Sequence, residues 1–425
     1  MVSRCALNEI AAELDRIQYC GNDPSSCGCS IRSTHGLPCA CELSSYAVSS
    51  IPLESVHMFW RRLHFSQVGV DKWMDITDMR YVIASRLCAL AFAVLWLVAS
   101  PLYHVQGNGC DFSLGNWVVD DSYYPLYDAS RDCPFIGQGF NCLRNGRTDQ
   151  EYLKYRWKPS GCDLPRFDGV NFLERYRGKK IMFVGDSISN NMWQSLTCLL
   201  HIAVPESSYA LSTPTKYLYV FSFPEYDASI MWLKNGFLVD VVHDKENGRI
   251  VKLDSIRSGR MWNGVDVLIF NTYHWWTHSG ESKTFVQFQV GNEIIKDMNP
   301  MEAYKIGLTT WSQWIDANID PSNTTVLFQG IAASHSGGKG CLKQPQPGQG
   351  PQPPYPGVEI VKGILSSMSC PVYLLDITLM TQLRIDGHPS IYTGKGTSYV
   401  DCSHWCLAGA PDTWNEMLYA ALLGL

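Results

Sequence analysis

From Lys180 onward, four short, largely apolar runs alternate with helical stretches, and this alternation constrains the fold more than any other feature of the chain. The runs are Lys180–Val184, closed by Gly185, then Val265–Phe270, Thr325–Gln329 and Val372–Asp376. Runs of this kind suit strands buried on both faces. Between them, Ser187–Leu200 sets Met192, Leu196, Leu199 and Leu200 on one helical face. Met301–Ile319 and Val358–Met368 read as further helices. Strands alternating with helices predict an α/β fold with a parallel sheet between two helical layers. Pro345–Gly357, with six prolines and three glycines, predicts a surface loop. A composition 46% apolar and 17% charged supplies a large core and excludes a disordered chain. The net charge of −6 provides no field for nucleic acid or anionic lipid.

The 16 cysteines fall as six before residue 79, one in an apolar run and nine after it. That run, Leu87–Ala99, follows Arg80 and Arg86 and ends at Ser100-Pro101. Its thirteen residues are short of the ~20 that span a bilayer, but they fit a signal-peptide core. Residues 79–105 are therefore expected to be a signal peptide or, uncleaved, a signal anchor, with a buried core helix as the plainer reading. Either targeting reading places the rest of the chain in the secretory lumen, where disulfides form. The sequon Asn323-Thr324-Thr325 would be glycosylated there.

A secretory signal does not belong at residue 79, so residues 1–78 are expected to lie outside the working protein. They contain Cys27-Gly28-Cys29 and Cys39-Ala40-Cys41, four thiolates suited to tetrahedral zinc. The stretch resembles the SWIM-type zinc finger of plant Mutator-like transposases, with Cys41 where histidine is usual. The transposase body is missing, so a transposon-derived remnant is the expectation and Met79 the expected true start.

Residues 106–165 are rich in cysteine, glycine and aromatic residues and lack helical periodicity, which predicts a loop-rich, disulfide-stapled subdomain. The catalytic domain is expected at 166–425. In it, Gly185-Asp186-Ser187 sits where a strand ends and a helix begins. A serine there is exposed at the carboxyl edge of the sheet, with helix-terminal N–H groups to favour an oxyanion. Capping alone explains many such junctions. Asp401-Cys402-Ser403-His404 adds a carboxylate three residues before a histidine, close enough to fix its tautomer. By itself His404 is a packing histidine as readily as a base. Together the motifs point to Ser187, His404 and Asp401 as nucleophile, base and orienting acid.

Asn271 ends the Val265–Phe270 run and is a candidate oxyanion donor, or simply a strand-end cap. Gly185, Asp186 and Asn191 are grouped with it as oxyanion or supporting residues. Trp275 and Trp276 are candidates for stacking a sugar ring, or for the core, and His335 is a further candidate substrate contact. His274, His278, His335 and His388 lack a companion carboxylate at metal spacing, so no catalytic metal is expected in this domain.

From about Cys110 to its end the chain resembles the plant trichome birefringence-like family, PC-esterase or DUF231 proteins with a GDSL/SGNH-like fold. The likeness rests on Cys110-Asp111, Pro125-Leu126-Tyr127, Cys133-Pro134-Phe135-Ile136, Asn145-Gly146-Arg147, Leu164–Asp168, the Gly185–Ser187 and Asp401–His404 motifs, Leu383-Arg384, Asp386–Ser390 and Pro411-Asp412-Trp414-Asn415. One departure is Ala332-Ala333-Ser334-His335, where many members read Ser-Pro-x-His. The resemblance implies a Golgi or secretory O-acetyltransferase that forms an acetyl-serine at Ser187 and passes the acetyl to a cell-wall polysaccharide, xylan first, with pectin or mannan next. It implies no bound cofactor, an acetyl donor as co-substrate delivered by the Golgi supply machinery, and membrane contact through 87–105 if that segment is uncleaved. It also implies disulfides Cys110–Cys162, Cys133–Cys198, Cys142–Cys406 and Cys341–Cys402. An acetylesterase with the same triad and a non-catalytic wall-polysaccharide binding protein are the rival readings.

Overall fold

The four apolar runs lie side by side in one sheet. A computed structural model describes residues 111–425 apart from 121, 123, 279–282, 284, 286, 336–339, 343, 345, 349–352, 354, 370 and 425. The zinc-finger-like segment, the targeting segment, Cys110 and Cys370 lie outside the described residues.

Near the start, β1 (Gly115–Val119) and β2 (Tyr155–Pro159) pair antiparallel, with Trp117 opposite Trp157. Helix α1 (Gly169–Arg175) leads into β3 (Lys180–Gly185) and helix α2 (Ser187–Ala203). Three strands follow: β4 (Ala210–Thr215), β5 (Leu218–Phe223) and β6 (Ala228–Lys234). Strands β7 (Asp240–Asp244) and β8 (Gly248–Lys252) precede β9 (Val267–Phe270), and β10 (Gln287–Val290) and β11 (Glu293–Ile295) follow it. The chain then runs through α3 (Pro300–Asn318), β12 (Thr325–Gln329), α4 (Pro356–Ser367), β13 (Tyr373–Leu375) and α5 (Ala410–Gly424).

The main sheet has seven strands in the order β13-β12-β9-β3-β6-β5-β4, and β11-β10-β8-β7 form a separate sheet of four. Strands β13, β12, β9, β3 and β6 are mutually parallel. The four expected runs are parallel as read, and the sheet extends beyond them at one edge, where β5 pairs antiparallel with both β6 and β4. A tight turn suffices to join antiparallel neighbours, so no crossover helix lies between these strands to announce them.

Pleating sends successive side chains to opposite faces. Ile181, Phe183, Ile269 and Leu327 join Met192 and Leu196 of α2 and Trp414 and Leu418 of α5 in one apolar layer. Met182, Val184, Leu268, Phe270, Val326 and Phe328 join Leu308 and Trp311 of α3 and Val361 of α4 in the other. Full burial of each such side chain contributes about 1.5–3 kcal/mol, so the central strands tolerate no polar face. The Pro345–Gly357 loop ends two residues early: Pro356 and Gly357 open α4, proline being suited to a first helical turn.

The segment before α1 is fastened to the sheet domain at several points. Disulfides join Cys133 to Cys198 on α2 and Cys142 to Cys406, and a third joins Cys341 to Cys402. Cys162 is also disulfide-bonded. Tyr124 and Tyr127 donate hydroxyl hydrogen bonds to Glu416 and Asp412 of α5. The buried Arg384 guanidinium donates to Tyr152 O at 2.6 Å and pairs with Asp386 at 2.8 Å. Among the described residues no helix is long and apolar enough to cross a membrane.

Candidate active site

Because the central strands are parallel, their carboxyl ends share one edge, and Gly185, Asn271 and Gln329 follow one another across it. Gly185 has no room for a side chain: a Cβ would lie 2.5 Å from Asn271 O and 2.9 Å from Ser189 Cβ. The chain turns there into α2. Asp186 caps the helix by accepting from Ile188 N at 2.9 Å, and Ser187 is the first helical residue, half-buried. The N–H of Ser187 is among the first-turn donors that a helix cannot satisfy itself, and the helix dipole adds to its pull on an anion. Asp186 is fully buried, which raises its carboxyl to about 6 against the opposing effects of the Ile188 N–H and His404.

His404 is oriented from behind. Its Nδ1 donates to Asp401 Oδ2 at 2.7 Å, and Asp401 Oδ1 accepts from the backbone N–H groups of Ser403 and His404, both at 3.0 Å. Burial raises the Asp401 carboxyl, but these bonds, led by the His404 ring, outweigh it and hold the group well below the usual carboxylate range. With Nδ1 engaged, Nε2 is the nitrogen left to take a proton.

Asn191 brings the two motifs together. It lies four residues after Ser187, one turn along the same face of α2, and is fully buried. Its Oδ1 accepts from Trp405 N at 2.8 Å and its Nδ2 donates to Trp405 O at 3.1 Å. Disulfides at Cys402 and Cys406 bracket the same turn, and Ser390 and Asp401 exchange two backbone hydrogen bonds. Among the described residues no hydrogen bond joins Ser187 to His404. Bonds of this kind often tighten only when substrate is bound.

The other expected site residues divide. Asn271 is buried beside Gly185, and its Oδ1 has no hydrogen-bond partner. Trp275 is half-buried, packs over Gly236 and has the Lys234 ammonium 5.6 Å from its ring. Trp276 is corrected to a core residue. It is fully buried, its Nε1 donates to Thr272 Oγ1 at 2.8 Å, and its ring fills the space beside Gly307, so no sugar reaches it. His335 has both ring nitrogens turned to protein atoms, with His388 Nε2 at 2.7 Å and Gln382 O at 3.1 Å, and so presents neither to a substrate.

Two features escaped the sequence. His388 Nδ1 bonds the carbonyl of His404 at 2.6 Å, and His274 Nδ1 lies 3.8 Å from Asp186 Oδ2. Both contacts are tertiary, and only the Asp386–Ser390 motif hinted at the first. A concavity of about 390 Å³ lies at the opposite edge of the sheet, lined by Lys179, Asp266 and Asn323 among others. No histidine lines it. Among the described residues no group of three His, Cys, Asp or Glu side chains is placed to hold a metal ion.

Comparison with known proteins adds an independent finding. Residues 164–421 match the PC-Esterase family, a GDSL/SGNH-like acyl-esterase family found in Pmr5 and Cas1p, and residues 108–163 match the PMR5 N-terminal domain. Arabidopsis thaliana protein trichome birefringence-like 42 is 55% identical over 324 residues, covering 74% of this chain and 89% of that protein. Trichome birefringence-like 43 of the same plant is 50% identical, covering 74% and 88%, and trichome birefringence-like 41 is 47% identical, covering 78% and 95%.

Proposed function

The chain belongs to the PC-Esterase family of GDSL/SGNH-like acyl-esterase proteins, and on that premise we propose that it is a polysaccharide O-acetyltransferase working through an acetyl-Ser187 intermediate. The observation that carries the proposal is the Asp401–His404 pair, held at 2.7 Å and clamped to the helix of Ser187 through Asn191.

In the first half-reaction Ser187 Oγ attacks the donor's acetyl carbonyl and His404 Nε2 takes the hydroxyl proton. Negative charge then grows on the carbonyl oxygen, where the Ser187 N–H and the dipole of α2 oppose it, with the Asn271 amide as the additional donor. Collapse expels the donor's leaving group with the proton from His404. In the second half-reaction a sugar hydroxyl attacks the acetyl carbon and gives its proton to His404. Collapse then releases the acetylated sugar, and the proton returns to Ser187 Oγ. Asp401 stabilises the imidazolium twice per cycle and remains ionised throughout.

The acceptor class is a plant cell-wall polysaccharide, xylan first and pectin or mannan next, with Trp275 as the aromatic contact. The secretory lumen, Golgi included, is the proposed compartment. Three bridges among cysteines are at home there, and the acetyl donor would come from the supply machinery of that compartment.

Mass spectrometry of secreted protein, incubated with an activated acetyl donor and xylan, mannan or pectin oligosaccharides, tests the proposal. The expected result is an acetyl increment on the peptide containing Ser187 and acetylated oligosaccharide, both lost in Ser187→Ala. Serine-dependent release of free acetate alone would replace it with the acetylesterase reading. No serine-dependent turnover would leave a binding protein.

A further inference from the structure

His388 lies behind the candidate site and touches neither Ser187 nor the ring of His404, yet it is fully buried and hydrogen-bonded at both ring nitrogens. We propose that His388, braced by His335, is a positioning residue that sets the turn carrying His404. The inference rests on the acyl-transfer reading above and names a further part of the same site.

The argument is a count of protons. The carbonyl of His404 only accepts, so the 2.6 Å contact requires the hydrogen of His388 to be on Nδ1. In a neutral ring that leaves a lone pair on Nε2. His335 Nδ1 lies 2.7 Å from it and must therefore be the donor. His335 Nε2 then has no hydrogen to give Gln382 O at 3.1 Å. Three contacts need three protons, and two neutral imidazoles hold two. Distance decides which contact is left incomplete: the one to Gln382 O, at 3.1 Å, is the longest of the three, and the one to the His404 carbonyl, at 2.6 Å, is the shortest and is kept. His335 thus fixes the tautomer of His388 from one side and the His404 carbonyl fixes it from the other.

The surroundings favour this neutral arrangement. Burial foremost drives the His388 ring toward its neutral form, down to about 3, and lowers His335 as well. Asp401 and the carbonyl of His404 act in the opposite sense on His388, and the carbonyl of Gln382 and Asp386 do so on His335. Arg147, whose Nη1 donates to His388 O at 3.1 Å, sets a fixed cation on the same segment. The His388 ring also lies 4.1 Å, centroid to centroid, from the ring of Trp405. One imidazole therefore holds both the carbonyl of His404 and the ring of the next residue, whose backbone Asn191 grips. A turn gripped on both sides keeps His404 Nε2 aimed, and a misplacement of about 1 Å costs on the order of 10²-fold in rate.

The test combines spectroscopy with two variants. In wild-type protein labelled with ¹⁵N-histidine at neutral pH, His388 is expected as the Nδ1–H tautomer, the minor form in free histidine, and His335 with its proton on Nδ1. His388→Asn keeps a donor near the Nδ1 position and should retain kcat within about tenfold, whereas His388→Leu should lose roughly 10²-fold with little change in acceptor KM. An Nε2–H tautomer at His388 would overturn the inference even if neither variant folds. So would a His388→Leu protein that is as active as wild type. Wild-type transfer that survives Ser187→Ala would instead sink the acyl-transfer reading, so the two failures are distinguishable.

Discussion

The side-chain amide of Asn191 pairs with both backbone polar groups of Trp405, at 2.8 and 3.1 Å, as a neighbouring strand would. One residue on α2 thereby positions the loop that supplies His404. Asn191→Ala removes two buried hydrogen bonds, each contributing about 1 kcal/mol, and leaves the Trp405 groups unsatisfied. Single-turnover acetylation of Ser187 should slow by one to two orders of magnitude, with a melting temperature lower by several degrees. Acetylation at the wild-type rate would remove Asn191 from the positioning of His404.

The bridges Cys341–Cys402 and Cys142–Cys406 lie on either side of His404 and tie its turn to distant chain. None of their four cysteines lies in a strand of the central sheet. Titration with a reductant should therefore abolish acetyl transfer at concentrations that leave the far-ultraviolet circular dichroism unchanged. Loss of activity and of secondary structure in one step would contradict this separation.

Stability should depend on pH through α5. Burial foremost pushes the Glu416 carboxyl up to about 7 and that of Asp412 up to about 6, against hydrogen bonds from Tyr124 to the first and from Ser195 and Tyr127 to the second. A carboxyl raised in this way binds more protons in the folded state. Its contribution is whole below the unfolded value of 4.5 and is lost as pH climbs through 7. For Glu416 the difference is on the order of 3 kcal/mol. Glu416→Gln should shrink the drop in melting temperature between pH 5 and pH 8, a comparison that holds the chain's other titrating groups constant. An unchanged drop would assign the dependence elsewhere.

Neighbouring tryptophans should part company. Trp275→Ala is expected to raise the acceptor KM severalfold and leave folding intact, since the ring is only half-buried. Trp276→Ala empties a fully buried site, with an expected loss of about 3–5 kcal/mol in denaturant unfolding. The reverse pattern would return Trp276 to the sugar.

The legible parts of this fold were those in which local chemistry and tertiary role coincide. Thr325–Gln329 is a strand over its whole predicted length, and Ser187 begins a helix where the glycine and the capping aspartate say it should. Asp401 and His404 are near in sequence, so their contact needed no fold to foresee. Strands β4 and β5 stayed hidden because β4 is exposed throughout and β5 is only partly buried, leaving no clean alternation. Helix α5 is buried on nearly all sides, so it shows no apolar stripe. Trp276 and His388 were misread or missed for a common reason: what decides their roles is a neighbour from another element.

Cys142 and Cys406 are 264 positions apart, and the bond between them closes around nearly the whole sheet domain. Ser187 precedes His404 by 217 residues in the order of synthesis. A ribosome-bound chain therefore carries the strand and helix that present the serine long before anything can activate it. On the proposed mechanism the serine stays silent until the stretch carrying His404 docks and the bridge shuts.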